Sequence, residues 1–256
     1  MSIVYPAYLL QYIKVLLLYI AAFTGIVLWF VTGRSIALFF LILVIGWFLS
    51  IAGTIGWHRW LSHRSFTPSW YGKYLMLAGL LVEGFGNSIH IVVAHRLHHK
   101  FYDTLNDPHS AAIFSYMDFL KGKWIVAYRS NIKKLPPLKD ILKMKDVVWF
   151  STHYWKIWWT FNILLACIDW QIALIFCPVI FARSWIIGQS MNYFGHGGKV
   201  CQPTNLEGMI LSFITIGESL HKNHHDFPSS WRWDTTTSSI DFGGIFIKLF
   251  LIDKFK

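Results

Sequence analysis

Charge is what this chain has least of. Lys, Arg, Asp and Glu make up 14% of its 256 residues, against about 25% in an ordinary soluble domain. Cysteine is also scarce: Cys167, Cys177 and Cys201 form no C-x-x-C pair, which excludes a disulfide framework and a zinc-ribbon type of site. No Pro-, Gly- or Ser-rich linker and no internal repeat interrupts the chain, so a single domain over 1–256 is expected. Aromatic-interleaved basic grooves and zinc-finger spacings are lacking too, so the net charge of +10 does not point to nucleic acid.

What is abundant is apolar length. Hydrophobic residues are 55% of the chain and aromatics 18%, with a mean hydropathy of +0.45. Two runs, about 8–31 and 36–57, each exceed the ~20 residues needed to cross hydrocarbon, and Thr32-Gly33-Arg34-Ser35 is long enough to turn between them. The first run is too long for a signal-peptide core and is expected to stay as an anchor. Two further runs meet at Asp169-Trp170 and predict a second hairpin, with spans of about 149–168 and 171–190. The run Tyr74–Val93 is long enough to span but holds Glu83, Asn87, His90 and three glycines. Those residues suit a segment that re-enters or lies in the interface.

Twelve histidines are many for so apolar a chain. His58 and His63 form H-x-x-x-x-H at the end of the second run. His95, His98 and His99 form H-x-x-H-H, and His221, His224 and His225 repeat that spacing. His196 stands four residues after Asn192. On a helix, residues i, i+3 and i+4 share a face, so each triplet offers three imidazoles to one side. The H-x-x-x-x-H pair does not share a face, so one member should lie beyond the helix end. His90, His109 and His153 are read as polar anchors near the membrane surface.

Nine clustered imidazoles oversupply one zinc, which closes at about four ligands, and suit two metals with four or five ligands each. Iron fits this donor set and chemistry on an unactivated C–H bond. The ligands must lie on one side of the membrane. That requirement selects four spans with both termini inside and Tyr74–Val93 not crossing. Eight of the 23 Lys/Arg residues fall in Lys121–Lys145, on the same side as the histidines, as the positive-inside rule asks of the cytoplasm. Glu83, Asp107, Glu218 and Asp226 are candidates to fix the ring tautomers.

Four stretches then carry a resemblance: HRWLSHRSF (58–66), HRLHHKFYDTLNDPHS (95–110), NYFGH (192–196) and GESLHKNHHDFP (217–228). With them the chain resembles the membrane fatty acyl desaturases, especially the acyl-CoA delta-9 (stearoyl-CoA) type. The resemblance implies an all-α integral membrane protein, mushroom-shaped, with four transmembrane helices under a cytoplasmic helical cap of about 58–148 and 191–256. It implies two iron ions held by His58, His63, His95, His98, His99, His196, His221, His224 and His225, with Asn192 holding a water on one iron, and dioxygen as co-substrate. It also implies a kinked tunnel, a cis double bond at delta-9, and electrons from a separate donor such as ferredoxin or cytochrome b5 with its reductase.

CoA-using members carry an Arg-Asp pair where this chain has Val93-Ala94, and an Arg-Gly-Phe-Phe type segment where it has Ala111–Tyr116. A CoA, carrier-protein or lipid-linked acyl substrate therefore stays open. So does the membrane, a bacterial inner membrane or the endoplasmic reticulum. The competing readings are a di-iron membrane hydroxylase, which shares the oxidant, and a zinc-dependent membrane hydrolase or metal transporter.

Overall fold

The structure, a computed structural model, describes residues 4–125 and 135–253, with side chains from residue 9 onward. Arg129, Lys133 and Lys134 of the basic run lie outside the described residues. Among the described residues the fold is all helical, and its one isolated β-bridge joins Pro68 to Ile252.

Helices α1 (Val4–Val31) and α2 (Ile36–Ile55) form the expected hairpin. Gly33 turns it with φ +68°, a conformation open to glycine without strain, and the Ser35 side chain caps α2 by accepting from the Leu38 N–H. Helices α3 (Trp70–Glu83) and α4 (Ser88–Phe101) follow, bent by 91° at Gly84–Asn87. The bend is written in the sequence. Gly84 leaves α3 at φ +72°, and Asn87 restarts the chain by accepting from the Ile89 N–H at 2.9 Å. Short helices α5 (Tyr116–Leu120) and α6 (Lys139–Leu142) lead to the long pair α7 (Lys145–Ile168) and α8 (Trp170–Phe194). The last segment holds α9 (Met209–Thr215), α10 (His221–Asp226) and α11 (Phe242–Phe246).

The second hairpin turns at Asp169, whose carboxylate caps α8 by accepting from the Gln171 and Ile172 N–H groups and pairs with Arg34 of the first turn. The two hairpin turns therefore meet at one end of the bundle. Segments bearing His58 and His196 leave from the opposite end.

Leu9–Val31, Ile36–Ser62 and Trp170–Phe194 are long and apolar enough to cross a membrane, and the bent α3–α4 pair reaches the same measure as a pair. The expected span at 149–168 does not reach it. The helix is there, 24 residues long, but Lys145, Asp146, His153 and Lys156 occupy its first half and Trp149, Trp155, Trp158 and Trp159 run through it. Tryptophan favours the membrane–water boundary over the hydrocarbon centre.

The core lies between α2, α3 and α7, where Ile55, Trp60, Leu61, Met76 and Tyr154 are almost wholly buried. Gly53 and Gly79 bring α2 and α3 into backbone contact: a Cβ on Gly79 would lie 2.2 Å from the Leu49 carbonyl oxygen. On the outside, Leu17, Phe23, Phe40, Val44, Leu164 and Ile168 stand exposed. So broad an apolar exterior calls for lipid around it.

Candidate metal centre

The first histidine pair owes its geometry to a wide turn. Beyond Ile55 the helix opens into a π-type turn, Gly56–Ser62, and the His63 N–H reaches the His58 carbonyl at 3.2 Å. An i→i+5 turn brings residues five apart to one side, and the two rings lie 5.2 Å apart. His63 does lie just past the last turn residue, as expected. The inference that the pair is split between faces fails, because the turn is wider than an α-helix.

The two triplets divide between two groups. His58, His63, His95, His99 and His224 offer ring nitrogens within 4.8 Å of one another; His98, His196, His221 and His225 form a second such group. Each triplet thus gives two rings at i and i+4 to one group and its third ring to the other. His196 follows the end of α8 at Gly195, where any side chain would strike His221: a Cβ there would lie 2.7 Å from His221 Cγ.

Ring nitrogens converge closely. His63 and His95 bring their Nε2 atoms to 2.8 Å, His99 and His224 to 2.8 Å, His58 and His224 to 3.1 Å, and His98 and His196 to 3.1 Å. Behind several rings stand carboxylates. Both oxygens of Asp107 lie 2.9 Å from His98 Nδ1, Asp103 Oδ2 lies 2.9 Å from His196 Nδ1, and Glu218 Oε2 lies 2.5 Å from His58 Nδ1. A carboxylate accepts the proton on Nδ1 and leaves Nε2 as a bare lone pair. His98 and His196 therefore point two lone pairs at each other, a repulsive arrangement that a cation between the groups would relieve. Buried His221 has neither ring nitrogen hydrogen-bonded. The donor set fits metal ions.

Burial sets the protonation. It pushes His63 down to about 3, helped by Arg96 and Arg59, and lowers His221, His224 and His225 as well. All are neutral and available as ligands near pH 7. Burial likewise raises Asp107 to about 7 and Glu218 to about 8, so positive charge beyond the imidazoles would keep both carboxyls ionised.

The remaining expected residues are placed as follows. Asn192 lines a cavity with His58, His95 and His221. Glu83 is buried at the end of α3 and accepts from Thr54 and Ser50, away from the rings. Asp226 is exposed and pairs with Lys222. His153 stacks on Trp149 and bonds its carbonyl oxygen, and His90 is exposed. His109 departs from its reading as a surface anchor. It is 4% exposed and stacks on His98 at 4.1 Å, because Asp107 accepts its N–H at 3.0 Å and folds the loop inward.

Two contributors went unread in the sequence. Asp103 reaches His196 from a left-handed position, φ +60°. Arg59 is wholly buried, forks onto Asp241 at 2.6 and 2.9 Å, and lies 3.5 Å over the Trp233 ring. Trp233 in turn packs against His224 at 4.6 Å. The acidic spacing beside the second triplet was a usable signal for Asp103; nothing in the sequence joined Arg59 to Asp241.

The cavity beside the rings measures about 110 Å³ and runs down α2 and α8 past Thr54 and Ser184, walled by Trp57, Phe85, Trp185 and Ile216. Its lining is largely apolar, suited to a hydrocarbon chain.

No family model matches the chain. It is 27% identical over 233 residues to the sn-1 stearoyl-lipid 9-desaturase of Synechocystis, covering 83% of this chain and 70% of that protein. It is 28% identical over 217 residues to the Delta-9 desaturase-like 5 protein of Arabidopsis thaliana, covering 78% and 69%. To acyl-CoA desaturase 1 of Tachysurus fulvidraco it is 28% identical over 217 residues, covering 78% and 65%.

Proposed function

We propose a specific activity for a chain that is an oxidoreductase of the fatty acyl desaturase family: it inserts a cis double bond, at delta-9, into a saturated acyl chain, with dioxygen as co-substrate and electrons from a separate donor. The observation that carries this reading is the pairing of His98 and His196. Each ring has an aspartate at its Nδ1, buried Asp107 behind His98 and half-buried Asp103 behind His196, and a proton held there leaves bare Nε2 atoms facing each other at 3.1 Å.

The five-histidine and four-histidine groups would each hold one iron ion, and Asn192 would hold a water on one of them. When bound, the iron pair supplies reduction of dioxygen and the power to remove hydrogen from an unactivated C–H bond. The chain's own residues do the rest. Asp103 and Asp107 fix the orientation and tautomer of His196 and His98, and Glu218 places a carboxylate beside His58. Trp57, Phe85, Trp185 and Ile216 hold the acyl chain and exclude water. The whole chain acts as one membrane domain of a bacterial inner membrane or the endoplasmic reticulum, with α7 as a fourth crossing beside α8 and the histidine end facing the cytoplasm.

The test is lipid profiling of a desaturase-deficient host that expresses the chain, beside a His98→Ala control. The expected result is a new monounsaturated acyl product that the control lacks, although the control still inserts into membranes. An alcohol carrying oxygen from labelled dioxygen would favour hydroxylation instead, and an unchanged product in the control would contradict the assignment.

A further inference from the structure

A second cavity, of about 350 Å³, adjoins the one beside the histidines, and the two share Phe85, Ile91, Ala94, Trp124, Ile125 and Trp185 as walls. It lies between α1 and α7. Both helices pack on α8, with no comparable packing between them, so the cavity is a cleft on the side of the bundle, backed by Phe181 and Trp185 of α8 and by the bend between α3 and α4. Gln11, Lys14 and Leu18 line it from α1, and Ser151, Thr152 and Trp155 from α7.

Its depth follows from the spans. Lys14 lies in the first two turns of the apolar stretch Leu9–Val31, within snorkelling reach of the headgroups. Across the cleft Trp155 is 49% exposed, as interfacial tryptophans are. The cleft therefore opens sideways at the boundary between headgroup and hydrocarbon. Its walls are apolar toward the histidines and polar at the rim, where Gln11, Lys14, Asn87, His90 and Thr152 gather. Among the described residues, Lys14 is the one lysine or arginine in this lining. One ammonium suits one phosphodiester, and Lys14 stands where the cleft opens to the bilayer.

Resting on the desaturase reading above, we propose that this cleft admits the acyl chain of an intact anionic phospholipid directly from the bilayer, with the lipid phosphate held at Lys14. The acyl chain passes the Phe85–Ile91–Trp185 wall to reach the histidines, and the headgroup never leaves the interface. The substrate class is lipid-linked rather than CoA- or carrier-linked.

The experiment uses membranes of the expressing desaturase-deficient host, fused with vesicles of phosphatidylglycerol labelled with deuterium in a stearoyl chain and with carbon-13 in the glycerol. Parallel membranes receive labelled stearoyl-CoA. Mass spectrometry of the first products should show phosphatidylglycerol that has lost two hydrogens and kept both labels, with no unsaturated CoA ester. Lys14→Glu should slow this reaction about tenfold, as expected for reversing one charge at an anionic surface, and Thr152→Trp should block the cleft while iron content stays at the wild-type level. Unsaturated CoA ester with unaltered phosphatidylglycerol would overturn the proposal and leave desaturation standing. A wild-type rate in both variants would overturn it as well. Absence of any unsaturated product from either substrate would overturn both readings.

Discussion

His98 on α4 and His196 beyond α8 face each other Nε2 to Nε2 at 3.1 Å, each anchored from behind by its own aspartate. Two imidazoles sharing a hydrogen bond would need one of those nitrogens to carry a proton, and Asp107 and Asp103 keep both protons on Nδ1. The pair is arranged to receive a cation. From that relationship follow several expected outcomes.

Asp103 holds the only histidine contributed by the end of α8, and its carboxylate is the acceptor that fixes His196. Replacing an acceptor behind a metal-binding histidine costs roughly 10–100-fold in metal affinity or activity. Asp103→Asn should therefore lower product formation within that range, and its iron should be lost to a chelator at lower concentration than in the wild type. Full activity and retention in Asp103→Asn would show that His196 needs no anchor.

Arg59 and Asp241 test the scaffold behind the first group. Both side chains are completely buried, and Arg59 also donates to the Trp231 carbonyl and covers Trp233. Removing one partner leaves a buried charge unpaired, at a cost of about 3–5 kcal/mol. Asp241→Ala should unfold in detergent well below the wild-type temperature. Arg34→Ala at the opposite end should change it little, because Arg34 and Asp169 are both partly exposed and such pairs contribute about 0–1 kcal/mol.

Acid should release the metal and weaken the fold in the same window. His63 is lowered to about 3, and His221 and His224 are lowered too, chiefly by burial. In the unfolded chain these rings take up protons near ~6.5, whereas the folded chain resists until far lower pH. Their contribution to stability is thus complete above about pH 6.5 and is lost as pH falls below it. Titrating the purified protein from pH 8 to pH 5 should show iron loss and a falling unfolding temperature beginning near pH 6.5. A flat response across that range would contradict burial of neutral rings.

Much of this was legible in the sequence, for reasons that differ by residue. The hairpin turns at Gly33 and Asp169 could be read because glycine and a capping aspartate interrupt runs that otherwise would not stop. The triplets at His95 and His221 could be read because i, i+3, i+4 spacing has one meaning on a helix. The π-type turn at Gly56–Ser62 could not, since nothing local marks a helix that widens; packing of buried Arg59 and Trp60 against distant segments holds it. Nor could the inward fold of His109, which depends on Asp107 accepting two backbone N–H groups at once. In α7 the length of the helix could be read from its apolar run, while its depth is harder to read because its four tryptophans prefer the interface.

The most direct measurement is the metal content of the purified full-length protein, read by elemental analysis against protein concentration. Two irons per chain are predicted, falling toward zero when His98 and His224, one from each group, are both replaced by alanine. A single zinc per chain, or an iron content unaffected by that double replacement, would contradict the account.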